Sequence, residues 1–314
     1  NATGTISNAN YNIGLGVDVF AALTTGDNNI AIGFSALNDN TTASNNTIVG
    51  HNAGDKITTG GTNAAFGADA LGANISGIEN TAIGAYSLAA HLVDATTAIG
   101  QQALNANTTG TNNTAVGYNA LLLNTTGSYN TAVGKQALDA NTTSSYLTGI
   151  GYGALGANTT GTHNTAVGES TLIANTTGGS NVGVGNYALG VNTTGSYNTA
   201  VGRAALDANT TADNNVAVGY GSLGANTQGT DNVAVGSGAL TTFNYTSAAD
   251  TWNVAVGKDA LGDLTTGTQN TALGGKALDA ATTSSNNVAV GYKALYANTT
   301  GHSNVAVGKG AGDS

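Results

Sequence analysis

Asn113-Thr114-Ala115-Val116-Gly117-Tyr118-Asn119-Ala120-Leu121-Leu122-Leu123-Asn124-Thr125-Thr126-Gly127 is one turn of a pattern that fills a chain of 314 residues. The Gly that closes Asn-Thr-Ala-Val-Gly recurs at Gly16, Gly33, Gly50, Gly67, Gly84, Gly100, Gly117, Gly134, Gly151, Gly168, Gly185, Gly202, Gly219, Gly236, Gly257, Gly274, Gly291 and Gly308. All but two steps are 17 residues. Residues 85–100 form a coil one residue short, and 237–257 carry four extra residues, with Phe243, Tyr245 and the only Trp, Trp252. The register runs through residues 1–314, so the sequence reads as a single repeat array. Positions below are counted from this Gly, so that −1 is the residue before it and +4 the fourth after it.

Each column reports an environment. Position −1 is always Val, Ile, Leu or Phe, as in Val116, Ile83 and Phe66, and −3 is mostly Thr or Val. Strand side chains alternate, so −1 and −3 share one face. Position +4 is nearly always Leu (Leu121, Leu138, Leu206). These columns predict a core of β-branched residues and Leu. A 17-residue unit is too short to fold alone and buries its apolar groups only by stacking on its neighbours. The expected fold is therefore all-β, a parallel β-roll or β-helix of about 18 coils. Position −4, Asn in all but two coils, is expected to stack as a ladder of amides at one turn. Thr-Thr-Gly is read as the second turn, with Gly supplying backbone freedom. For Gly-x-x-Ala-Leu-x-Ala-Asn, a short strand with a corner and a single helical turn both fit.

Position −2 is Ala in fourteen coils, Gly in three and Ile48 in one. It points opposite to −1 and −3. By contrast, +1 and +2 vary freely and hold six of the seven basic residues, so that corner faces water. An invariantly small column implies either close approach of a second backbone or a very narrow coil interior. The first alternative leads to self-association, as a parallel homotrimer or a fibre.

Composition excludes several classes. With no Cys there is no disulfide scaffold or thiolate metal site. A net charge of −10 with only seven Lys and Arg excludes the cationic footprint of a nucleic-acid binder. No apolar run approaches the length that spans a membrane as a helix, so membrane insertion is not expected. The chain begins at Asn1, which suggests a processed chain or a piece of a longer one.

Residues 113–127 resemble repeats of phage tail-fibre and long bacterial surface proteins, which often end in an intramolecular chaperone of the endosialidase type. More distantly, the Ala-Val-Gly and Ala-Ile-Gly steps are similar to the head repeats of trimeric autotransporter adhesins, which are left-handed parallel β-rolls assembled as trimers. The likeness covers essentially the whole chain, although the autotransporter repeat is shorter. It implies the shaft or display segment of an extracellular fibre, on a cell surface or virion, with an adhesive role toward a cell-surface glycan or receptor. The alternative is a surface adhesin whose solenoid face binds glycans or ice directly.

Catalytic and metal chemistry find little support in the residues. His51, His91, His163 and His302 fall in different columns and distant coils. Asp139, Asp207 and Asp279 share position +5, but neighbours in that set are four coils, or about 19 Å, apart. Paired glycosidase carboxylates must lie within about 5–10 Å. The expectation is therefore no enzyme, no cofactor and no metal. Asn40, Asn107, Asn124, Asn141, Asn158, Asn175, Asn192, Asn209 and Asn298 match the N-glycosylation pattern, and equally suit turns and ladders. Leu23, Ile57, Leu264 and Ala281 stand at the same position in other coils. Ice binding wants Thr-x-Thr on a flat strand, whereas the adjacent Thr pair here should diverge. Ser-Tyr-Asn-Thr-Ala-Val-Gly recurs at Ser128 and Ser196, with Tyr129 and Tyr197 as candidate contacts. The insertion is the stronger binding candidate, because Phe243, Tyr245 and Trp252 bulge from a regular wall.

Overall fold

A computed structural model of the chain describes residues 9–313. It divides into two units at Gly153/Ala154. Each unit is a β-solenoid, and the described residues contain no helix. In the first unit, nine three-residue strands from Ile13–Leu15 to Thr148–Ile150 pair in parallel, each with the next in sequence. In the second, nine strands from Thr165–Val167 to Val305–Val307 do the same. Thr114, Ala115 and Val116 lie opposite Thr131, Ala132 and Val133, one repeat further on. Columns read from the sequence are therefore columns in space.

Within each unit, hydrogen bonds run from an inner coil toward both of its neighbours. The amides of Thr114, Leu121, Leu123 and Thr125 donate forward to the carbonyls of Asn130, Ala137, Asp139 and Thr142 at 2.7–3.1 Å. Those of Gly117, Asn119 and Tyr129 donate backward to Ile99, Gln101 and Thr111. A coil thus satisfies most of its backbone through the coils before and after it, with short turns such as Ala120 N–H to the Gly117 carbonyl closing within the coil.

The interior differs from the expected one. Ala115, Ala132, Ala200 and their equivalents at −2 are fully buried, together with Ala at +3 and Leu at +4. The β-branched −1 and −3 side chains point outward and are half-buried or exposed, with Ile83 at 39% and Leu273 at 47%. The narrow-interior alternative for Ala is the one adopted, and the expected β-branched core is corrected to Ala and Leu. Neighbouring coils keep the interior volume constant. Gly183 stands at −2 where Thr171 replaces Ala at +3, and a Cβ on Gly183 would lie 2.6 Å from the Thr171 methyl. Ile48 fills −2 in the coil whose +4 residue is Gly54, and a Cβ there would meet Ile57 at 2.9 Å. Close packing tolerates such trades when total volume is held.

Glycine at the reference position has a specific steric cause. Gly117 has φ +140°, and a Cβ on it would sit 2.4 Å from the carbonyl oxygen of Gly134. The same approach repeats in the other coils, for example Gly219 against Gly236. At Thr-Thr-Gly the reason is different from the one expected. Gly127 does not adopt a positive φ, but a Cβ on it would meet the Ser144 carbonyl at 2.3 Å.

Gly-x-x-Ala-Leu-x-Ala-Asn is neither strand nor helical turn. It is a run of turns in which +2 and +4 take left-handed conformations, as at Asn119 (φ 57°) and Leu121 (φ 52°). A left-handed Leu costs about 1–2 kcal/mol. Full burial of its side chain returns roughly 1.5–3 kcal/mol, so the column keeps Leu despite the strain.

Inside and outside are separable by substitution. Ala115→Val should overpack the interior and destabilise the chain by about 1–3 kcal/mol. Val116→Ala, on the outward face, should cost clearly less. Urea unfolding monitored by circular dichroism measures both, and equal losses would contradict this assignment. Gly117→Ala should be more damaging than either.

Candidate functional site

Two columns of buried asparagine hold the turns. At −4, the Asn113 side chain donates from Nδ2 to the Gly127 carbonyl (2.8 Å), while its Oδ1 accepts the Asn130 backbone amide (2.9 Å). At +7, Asn124 Nδ2 donates to Asn107 Oδ1 (2.7 Å) and to the Gly127 carbonyl (3.0 Å). The expected amide ladder is therefore present at −4, and a second one runs beside it. Where the +7 column breaks, Asn74 stands between Ile57 and His91, and its buried amide has no hydrogen-bond partner among the described residues.

All nine Asn-Thr-Thr asparagines lie in this second column. Asn40, Asn107, Asn124, Asn141, Asn158, Asn175, Asn192 and Asn209 are fully buried, and Asn298 is half-buried. In each, Nδ2 donates to the carbonyl three residues on, at 2.8–3.3 Å. A sugar on any of the eight buried nitrogens would displace that bond and the neighbouring coil. The Thr pair diverges as expected: Thr125 Oγ1 donates to the Thr142 carbonyl (3.0 Å), and Thr126 is exposed.

The short coil carries the one buried imidazole among the described residues. His91 Nε2 lies 3.1 Å from Asn80 Oδ1, and Nδ1 lies 2.8 Å from Asn107 Nδ2. An amide oxygen accepts and an amide nitrogen donates, so these partners fit the neutral tautomer with its proton on Nε2. Burial lowers the His91 pKa from 6.5 to about 4, against smaller opposing effects from the Val93 backbone and the Asp94 charge. The other histidines lie apart: His51 stacks on Phe34, and His302 Nδ1 accepts the Ser285 amide. At +5, burial raises the carboxyls of Asp139 and Asp207, while Asp279 pairs with Lys276 at 3.2 Å.

The aromatic residues of the insertion do not share one exposed surface. Phe243 occupies the +7 column and is fully buried in place of the ladder asparagine. Tyr245, half-buried, stacks on it at 6.4 Å. Trp252 is exposed, at position −5. The extra residues form a two-residue strand, Ala249–Asp250, paired in parallel with Gly229–Thr230.

Outward columns are what remain for function. The strand face shows −3 and −1 in every coil. Its +1 edge carries aromatic and basic groups: Lys135 lies 5.9 Å from the rings of both Tyr118 and Tyr152, and Arg203 lies 5.7 Å from Tyr220. The −5 edge carries Tyr129 and Tyr146, stacked at 5.3 Å, with Tyr197 and Trp252 in other coils. The β-branched core expected from −1 and −3 gives way here to the narrow-interior alternative, which turns these columns outward. Its signal was the variable tyrosine and lysine content immediately on either side of the strand. No protein-family model matches the chain, and no curated protein matches it.

The buried imidazole sets a pH dependence. Since the folded value lies below 6.5, the unfolded chain takes up the proton first. The contribution of neutral His91 is complete above pH 6.5 and is lost as pH falls toward 4, up to about 3 kcal/mol. Denaturant midpoints between pH 7 and 4 should fall more steeply for the wild type than for His91→Asn. Parallel curves would show that His91 is not held neutral.

Proposed function

We propose that this chain is a structural segment of an extracellular fibre, on a cell surface or virion, in which parallel copies associate as a homotrimer or larger filament through their outward strand faces. The observation that carries this reading is the −1 column: Val, Ile, Leu or Phe in all eighteen coils, although that side lies outside the coil. A solvated position would drift among polar residues, whereas an apolar stripe maintained on a surface fits a contact with another molecule. A stripe that repeats every coil of a unit, at about 4.8 Å, is matched by a surface of the same pitch, which a second copy supplies. The role that follows is mechanical. Stacked coils set length and stiffness, and the variable corners away from the strand present groups to a glycan or receptor.

A second reading draws on one feature of the first unit. Thr81, Thr97, Thr114, Thr131 and Thr148 stand in register at −3 on five consecutive coils, beside Ile or Val at −1. A flat array of hydroxyls and methyls of this kind suits an ice surface better than the diverging Thr pair does. Thermal hysteresis of the purified chain would favour this second reading.

Charge on the outward face distinguishes association from a solitary coil stack. Val116→Asp with Val133→Asp should shift the sedimenting species toward the mass of one chain, with the circular dichroism spectrum unchanged. A wild-type chain that sediments as a monomer at all concentrations would remove the fibre reading.

A further inference from the structure

The supply of oxidisable side chains in this chain is unusual. It has no Cys and no Met, and its only Trp, Trp252, belongs to the second unit. The thiol and thioether that ordinarily take up oxidising equivalents are therefore missing. In the first unit, tyrosine is the side chain left to give up an electron, and that unit holds Tyr11, Tyr86, Tyr118, Tyr129, Tyr146 and Tyr152.

Tyr129 and Tyr146 stand apart from the others. Both occupy −5, one coil apart, and no other two tyrosines of the sequence share a position in consecutive coils. Their rings are parallel to within 2°, with centroids 5.3 Å apart, and the residues are 54% and 56% exposed. The backbone beneath them is held in register. Tyr129 and Tyr146 have nearly the same left-handed φ, 60° and 62°. Their amides donate to the Thr111 and Ser128 carbonyls at 3.1 and 3.2 Å, and the Ser128 amide donates to Ser145 Oγ at 2.9 Å. Tyr118 and Tyr152 offer a contrast. They are two coils apart at +1, and Lys135 occupies the coil between them, 5.9 Å from each ring.

We infer that Tyr129 and Tyr146 form an oxidative cross-linking site, at which a haem peroxidase and hydrogen peroxide join the two rings as dityrosine. The peroxidase removes one electron and one proton from each phenol, and hydrogen peroxide is reduced to two waters. The two phenoxyl radicals combine through one ortho carbon (Cε) of each ring, forming a C–C bond. The hydrogens on those two carbons then move to the oxygens and restore both phenols, so the chain loses two hydrogens in all. Exposed side chains rotate on the picosecond-to-nanosecond scale, which brings the ortho carbons together without moving the backbone. The bond ties two consecutive coils covalently in a chain that can form no disulfide, and like any cross-link it restricts the unfolded chain. This goes beyond the fibre reading and holds for a single chain as it does for an assembly.

For the test, dilute full-length protein is treated with a haem peroxidase and limiting hydrogen peroxide, and N-acetyltyrosine in a parallel reaction reports that the oxidant works. The expected result is dityrosine fluorescence in the band of one chain mass on a denaturing gel. Trypsin cleaves after Lys135, between the two tyrosines. Their peptides should therefore appear joined, at the summed mass less two hydrogens, with fragmentation placing the link at Tyr129 and Tyr146. Tyr146→Phe should lose the joined species and Tyr197→Phe should keep it, both with an unchanged circular dichroism spectrum. Wild type that yields no intrachain dityrosine while N-acetyltyrosine couples overturns the site. Interchain links alone, or an equal intrachain yield from Tyr146→Phe, overturn it as well.

Discussion

Within each unit, the carbonyl of a reference glycine occupies the space where a side chain on the preceding coil's reference glycine would be. In the coils around Gly117 that separation is 2.4 Å from a built Cβ, so no other residue fits. This approach fixes the height of one coil on the next at the corner after the strand. The forward and backward amide bonds, and the asparagine side chains that accept the next coil's N–H, then hold the remaining sides at the same pitch. Because each coil's polar groups are completed by its neighbours, a defect in one coil is felt in the coils on either side of it.

A coil this narrow has little room inside, and the rest of the sequence pattern follows from that limit. Alanine lines the inner side of the strand, one Leu per coil fills the remaining space, and two buried amides close the turns. Leu reaches that space only from a left-handed backbone, and burial outweighs the strain. Departures are compensated locally, as Thr171 is by Gly183 and as Gly54 is by Ile48 and Ile57. The +7 position accepts either a ladder amide or an apolar group such as Leu264 or Phe243, since both fill it. An imidazole also fits there, provided it stays neutral.

Function is left to the outward columns, which are under no such steric limit. The strand face kept its Val, Ile and Thr, while the corners beside it vary among Tyr, Lys, Arg, Asp and Asn. The insertion adds local bulk at one coil, yet its most apolar residue, Phe243, turns inward, and only Trp252 joins an exposed edge.

The sequence by itself determined the repeat length, the coil boundaries, the parallel solenoid and the −4 amide ladder. Each is a consequence of periodicity, and periodicity is a property of one dimension. It could not determine which face of the strand was inner, because alternation places −2 opposite to −1 and −3 but carries no sign. Hydrophobicity suggests Val116 inside and Ala115 outside, and the three-dimensional coil reverses them, since beside a +4 Leu the interior has room only for the smaller side chain, and the larger Ile48 is admitted where +4 is Gly54. Likewise the Asn-Thr-Thr pattern was readable as glycan acceptors until the closing of the coil put Asn124 Nδ2 within 3.0 Å of the Gly127 carbonyl. The left-handed Leu column was invisible for a related reason. Its backbone is strained locally, and only the burial created by neighbouring coils makes it the stable choice.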